Sequence, residues 1–122
     1  MRVLLDTHVL LWAVLNDPRL TTAQAQAISG GEIYLSSASI WEIGIKRAIG
    51  KLDVPADLFE IAVDAGCRPL PIYWTHAEAA AALPLHHADP FDRMLVAQAR
   101  CEGLRLASSD TKLKAYDVDL LG

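Results

Sequence analysis

The sequence predicts an α/β fold in which a mostly parallel sheet of four to five short strands lies between helices. Three observations carry that expectation. Short apolar runs rich in β-formers alternate with helical segments, the order that crossover connections between parallel strands require. Each of the main runs stops at an acid or at a serine-rich turn, as strands do where they reach a sheet edge. The chain has 122 residues, below the roughly 150 expected per domain, so one domain over residues 1–122 is the expectation. With 52% apolar and 21% charged residues, the chain has ample material for a core, and disorder of the bulk is excluded.

The elements follow in order. Arg2-Val3-Leu4-Leu5 is a nearly continuous apolar run stopping at Asp6, and reads as the first strand. Thr7 opens a helix over His8 to Leu15, ended by Asn16-Asp17-Pro18. Thr22 to Ser29 has good helix formers and ends at Gly30-Gly31, after which Ile33-Tyr34-Leu35 is a strand running into Ser36-Ser37. Ile40 to Gly50 is helical, with Trp41, Ile45, Ala48 and Ile49 on a stripe expected to face the core. Pro55 starts a helix to about Ala65, and Gly66 to Ile72 is a short strand that Pro69 and Pro71 push toward a sheet edge or toward an irregular extended piece. Thr75 to Leu83 is an alanine-rich helix, and Asp89 to Glu102 is another, ended by Gly103. Leu104 to Ala107 is a strand running into Ser108-Ser109-Asp110, and a short helix and the tail Val118 to Leu121 close the chain.

Several function classes drop out early. The longest apolar run, Val9 to Leu15, is far short of the roughly 18–20 residues of a membrane span, and Met-Arg-Val-Leu-Leu-Asp meets an acid too early for a signal peptide. A soluble, cytoplasmic protein without a membrane partner is expected. Cys67 and Cys101 have no Cys-x-x-Cys spacing, so neither a disulfide framework nor a zinc site is suggested. A formal charge of −4 argues against nucleic-acid binding by a uniformly positive surface.

The acids at strand and helix ends are the informative residues, although each has an ordinary structural explanation. Asp6 follows the first strand and is also placed as an N-cap. Glu42 lies three residues after Ser39, as in a capping box, and four before Lys46, as in a helical ion pair, yet it projects at the margin of the apolar stripe. Asp89 before Pro90 has the pattern of an N-cap with proline at the first helical position. Asp92, one turn on, shares a face with Val96 and Ala99 and points inward. Asp110 follows the last main strand, where turn chemistry or a cap explains it equally well. Together they say more. On a parallel sheet these positions converge on one rim, outside the carboxyl ends of the strands where ligands gather. Carboxylates so close repel one another unless some are protonated or cations sit between them. Oxygen-only ligation selects Mg²⁺ or Mn²⁺, ions suited to phosphodiester hydrolysis.

Four motifs in order, Leu4-Leu5-Asp6-Thr7-His8, Ser36-Ser37-Ala38-Ser39-Ile40-Trp41-Glu42-Ile43, His86-His87-Ala88-Asp89-Pro90-Phe91-Asp92-Arg93-Met94-Leu95-Val96-Ala97-Gln98-Ala99 and Ser108-Ser109-Asp110, cover essentially the whole chain. In these the sequence resembles the PIN-domain ribonucleases, specifically the VapC-type toxins of bacterial toxin–antitoxin pairs. The resemblance implies a PIN-like three-layer α/β/α fold and a metal-dependent endoribonuclease. It implies that Asp6, Glu42, Asp92 and Asp110 bind Mg²⁺ or Mn²⁺, and that cleavage leaves a 5′-phosphate and a 3′-hydroxyl. Thr7 and Ser108 stand beside the first and last of these acids and are placed to orient carboxylates. The resemblance further implies RNA as substrate, a VapB-like antitoxin as partner and a homodimer.

Lys46, Arg47, Lys51, Lys112 and Lys114 are candidates for RNA-backbone contacts, with an ordinary solvated face as the equal alternative. Arg93 is placed to hold a phosphate or pair with a carboxylate. Trp12, Trp74 and Phe91 are candidates for base stacking, while Trp41 is assigned to the core. His86 and His87 offer a metal-free acid–base route through the RNA 2′-hydroxyl, against which stands a simple surface loop. A non-catalytic doubly wound module that binds RNA or protein is the alternative from another class. Setting the four metal-binding acids aside leaves eleven acids against eleven bases, so a cluster of those four would account for the whole negative balance.

Overall fold

The computed structural model describes residues 1–122. Five strands form one parallel sheet: β1 (Arg2–Leu5), β2 (Glu32–Ser36), β3 (Arg68–Leu70), β4 (Arg105–Ala107) and β5 (Leu120–Leu121), in the order β3-β2-β1-β4-β5. The helices are α1 (Thr7–Leu15), α2 (Thr22–Gly30), α3 (Ser37–Ala48), α4 (Leu58–Asp64), α5 (Trp74–Ala82) and α6 (Pro90–Glu102), with a short 3-10 helix over Thr111–Ala115. Register pairs Val3 with Ile33 and with Arg105, and Leu5 with Ala107, so Asp6 and Ser108 leave the sheet side by side at its carboxyl edge.

Alternation along the strands divides the core. Val3, Leu5, Ile33, Leu35 and Ala107 pack with Val9, Leu10, Ala27, Leu58 and Ala62, which puts α1, α2 and α4 on one face. Leu4 and Leu106 pack with Leu83, Leu95, Val96, Ala97 and Ala99, which puts α5 and α6 on the other. Helix α3 reaches both clusters, through Ile43 on the first side and Ala38 on the second. Leu4, Val3, Leu95 and Leu106 are fully buried, each worth roughly 1.5–3 kcal/mol of transfer free energy.

Local chemistry sets the helix ends. Asp6 caps α1 by accepting from the Val9 N–H at 2.7 Å. Asp89 caps α6 ahead of Pro90, and Gly103 ends it in the left-handed region at φ 66°, where its N–H donates to the Ala99 carbonyl. The edge position of β3 agrees with its prolines, but the strand is confined to Arg68–Leu70, because Pro69 and Pro71 offer no N–H to a ladder.

Helix α3 departs most from expectation. It begins at Ser37, and Ser36 is its cap, so Ser39 forms no capping box with Glu42. The expected core stripe faces outward: Trp41 is 65% and Ile49 59% exposed, with Ile45 and Ala48 also exposed. The buried face is Ala38, Ser39, Glu42 and Ile43. Half of that face is polar, so hydrophobic periodicity selects the opposite side. Helix α4 begins at Leu58, three residues later than Pro55 suggested.

Candidate metal centre

Asp6 is 4% exposed and anchored by its backbone, whose N–H donates to the Ala107 carbonyl at 3.0 Å. Burial raises its carboxyl above the usual range. The Ser108 hydroxyl and the Val9 N–H oppose that rise, and the Asp110 charge adds to it. Ser108 also accepts from the Asp110 N–H at 3.1 Å, so one hydroxyl links the first and last acids. Asp110 caps the 3-10 helix, accepting at Oδ1 from the Lys112 N–H.

Thr7 serves the second acid indirectly. Its hydroxyl donates to Ser39 Oγ at 3.0 Å in the interior, which ties α1 to the face of α3 that carries Glu42. Glu42 is 5% exposed; its Oε2 accepts from Lys46 Nζ at 2.9 Å and its Oε1 has no hydrogen-bond partner. A buried carboxylate oxygen left unpaired is costly.

Asp92 lies in the first turn of α6, and its carboxyl is pushed up to about 6. Burial is the main cause and the charge of Asp89 the next; His87 relieves it, while Asp6 and Glu42 raise it further. Asp92 thus feels the charges of Asp6 and Glu42, and Asp6 that of Asp110, whereas the ligand-type atoms that come within 4.8 Å of one another are those of His87, Asp92 and Asp110. Asp89 is the helix cap, accepting at Oδ1 from the N–H groups of Phe91 and Asp92. The cluster suits a hard divalent ion: it is rich in oxygen, it holds one unpaired buried oxygen, and two of its acids are reluctant to ionise unaided.

His87 was the residue undervalued by the sequence. Its Nε2 lies 3.1 Å from Asp92 Oδ2 and 3.1 Å from Asp110 Oδ2, with ligand-type atoms of the three residues within 4.8 Å of one another. The acids on either side of the loop were a signal, but only the fold brings Asp110 to it. His86 turns away and packs edge-on against Tyr116, so the two histidines do not act as a pair.

Arg93 is not at the cluster. Its guanidinium donates to the carbonyls of Ala80, Leu83, Pro84 and His87 and to the Tyr116 hydroxyl, which leaves it bound to neither carboxylate nor phosphate position. It fastens the 84–87 loop to α5 and α6. Lys46 is paired with Glu42, whereas Arg47, Lys51, Lys112 and Lys114 are exposed. Trp41 packs edge-on against Phe91, ring centroids 5.3 Å apart, on the outer surface of α3. A concavity of about 700 Å³ lies elsewhere, lined by Leu83, Ala97, Cys101 and Tyr116 among others, and none of the four acids lines it.

Comparison with known proteins identifies the family and the fold. Residues 3–119 match the family model described as PIN domain. Ribonuclease VapC22 of Mycobacterium tuberculosis is 32% identical over 123 residues, covering 93% of this chain and 91% of that protein. Among solved structures, VapBC2 from Rickettsia felis bound to a DNA fragment from their promoter matches with TM-score 0.70 at 14% identity, over 99% of this chain and 98% of that one. FitAcB from Neisseria gonorrhoeae matches with TM-score 0.68 at 21% identity, over 98% and 96%. A toxin–antitoxin complex from Klebsiella pneumoniae gives TM-score 0.69 at 18% identity, over 98% and 96%. These structures share the fold, and with the match over residues 3–119 and the 32% identical ribonuclease they establish that the chain belongs to the PIN-domain family.

Proposed function

We propose that this chain is a metal-dependent endoribonuclease acting as the toxin of a toxin–antitoxin pair. The observation that carries the reading is the buried, unpaired Glu42 Oε1, on a carboxylate whose charge acts together with that of Asp6 on Asp92, beside the Asp92–Asp110 pair. The chain's similarity to a ribonuclease and to toxin–antitoxin complexes supports it. Asp6, Glu42, Asp92 and Asp110 are the residues that would hold Mg²⁺ or Mn²⁺. The chemistry a bound ion supplies here is activation of water and stabilisation of charge on the leaving oxygen of the phosphodiester.

The remaining roles belong to the protein. Ser108 holds Asp6 and Asp110 in one arrangement, and Thr7 fixes the face of α3 through Ser39. Lys46 restrains Glu42 by one oxygen and leaves the other buried without a partner, free to meet an ion. Arg47, Lys51, Lys112 and Lys114 provide exposed cations for the RNA backbone. The partners in this reading are RNA, a VapB-like antitoxin and a second copy of the chain, in the cytoplasm. No helix is long and apolar enough to cross a membrane.

Purified protein is incubated with RNA in Mg²⁺ or Mn²⁺ and in chelator, and the new ends are mapped. Cleavage that needs the ion, leaves 5′-phosphate ends and is lost in Asp6→Asn is the expected result. Cleavage that persists in chelator or in Asp6→Asn overturns it.

A further inference from the structure

We propose that His87 is the positioning residue of the acid cluster: its ring donates from Nε2–H to Asp110, with Asp92 beside the same nitrogen, and so holds the two carboxylates next to each other for a divalent cation. The proposal rests on the metal-binding reading above. Its first support is the tautomer. Nδ1 of His87 accepts from the Asp89 N–H at 3.3 Å, and an atom that accepts there carries no proton, so in the neutral ring the proton is on Nε2. That nitrogen lies 3.1 Å from both Oδ2 atoms, and its hydrogen bond goes to Asp110.

The same observation argues against His87 as a ligand. A metal-bound imidazole needs its Nε2 lone pair and turns its other nitrogen, as N–H, toward an acceptor. Here the other nitrogen faces a donor. Donation from Nε2 leaves coordination open, because each carboxylate oxygen has two lone-pair directions, and the Asp92 contact uses Oδ2 alone. Bonds of about 2.1 Å to Mg²⁺ require ligand oxygens roughly 3–4.2 Å apart. With one ligand-type atom each of His87, Asp92 and Asp110 within 4.8 Å of the others, the two carboxylates stand within reach of a common ion.

The residue is itself held firmly. Its side chain is 12% exposed, its N–H donates to the Tyr116 hydroxyl at 3.0 Å and its carbonyl accepts from Arg93 at 3.4 Å. Tyr116 in turn donates to the Pro84 carbonyl at 2.8 Å. A loop pinned at both faces fixes where Nε2 points, as outer-shell donors to ligating carboxylates must be fixed.

Two measurements test this. Long-range ¹H–¹⁵N spectra of ¹⁵N-histidine protein report the His87 tautomer during a Mg²⁺ titration; Nε2 is expected to keep its proton throughout. Calorimetric Mn²⁺ titration is expected to show affinity reduced about 10–100-fold in His87→Phe. His87→Gln, whose amide can donate from a similar position, should recover most of that loss. Conversion of Nε2 to an unprotonated, ion-bound nitrogen overturns the proposal, as does unchanged or tighter Mn²⁺ binding by a folded His87→Phe. If the Phe variant does not fold, the wild-type tautomer and the Gln variant decide. Absence of Mn²⁺ binding by wild-type protein overturns the metal centre and this proposal together, whereas binding indifferent to His87→Phe overturns only the role of His87.

Discussion

Replacing Asp92 with asparagine should stabilise the protein in chelator and weaken its response to Mg²⁺. The Asp92 carboxyl is raised from 3.8 to about 6, chiefly by burial and then by the charge of Asp89. A displacement of roughly two pH units at about 1.36 kcal/mol each puts the cost of ionising it in the fold near 3 kcal/mol. The side chain is 19% exposed and its neighbours share the titration, so about 1.5 kcal/mol is the working figure. Because the folded group holds its proton longer than the unfolded one, wild-type stability falls as pH rises from about 4 to about 6 and levels off above. The neutral amide escapes that loss. In EDTA at pH 7 Asp92→Asn should melt higher by roughly 6 °C, for a chain whose unfolding entropy scales as about 2 cal/mol/K per residue. The gap should close toward pH 4, and saturating Mg²⁺ should narrow or reverse it by stabilising wild type more. Thermal melts across pH 4–7.5, with chelator and with Mg²⁺, measure all three. An asparagine variant that melts below wild type at pH 7 in EDTA, or a gap independent of pH, would refute the electrostatic account of the cluster.

Other expectations follow from single contacts. Mg²⁺ at a hundred times its dissociation constant should stabilise wild type by about 2.7 kcal/mol, read as a rise in melting temperature that EDTA reverses. Arg93→Lys should destabilise by roughly 2 kcal/mol in urea titration, because lysine cannot span the four carbonyls and the hydroxyl that Arg93 reaches. Trp41→Ser should change stability by less than about 1 kcal/mol; a loss of about 3–5 kcal/mol would return Trp41 to the core. Ser36→Ala removes the α3 cap and a buried bond to Gln98 and should cost about 1–2 kcal/mol, measured by the same titration.

Features governed by neighbours along the chain were legible in the sequence. Asp6 and Asp89 could be read as caps because capping needs only a short acceptor before a helix, and both are caps. The edge position of β3 followed from Pro69 and Pro71. Features governed by distant partners were not. The inward face of α3 is chosen by the Thr7–Ser39 bond and the acid cluster, so a stripe containing Trp41 and Ile49 pointed the wrong way. Arg93 looked available for phosphate because its acceptors are mostly backbone carbonyls, which carry no sequence signature. His87 acquires its role from Asp110, 23 positions further along the chain.

Several acids at the rim are already held by the fold's own bonds. Asp6 is fixed by the Val9 N–H, Asp110 by the Lys112 N–H and Glu42 by Lys46. Their rotamer freedom is therefore lost when the chain folds and is not lost again when something binds. Immobilising a mobile side chain on association costs about 0.5–1.5 kcal/mol, so a rim ordered in advance can accept its ion with little entropic penalty, even though its acids are few and widely separated in sequence.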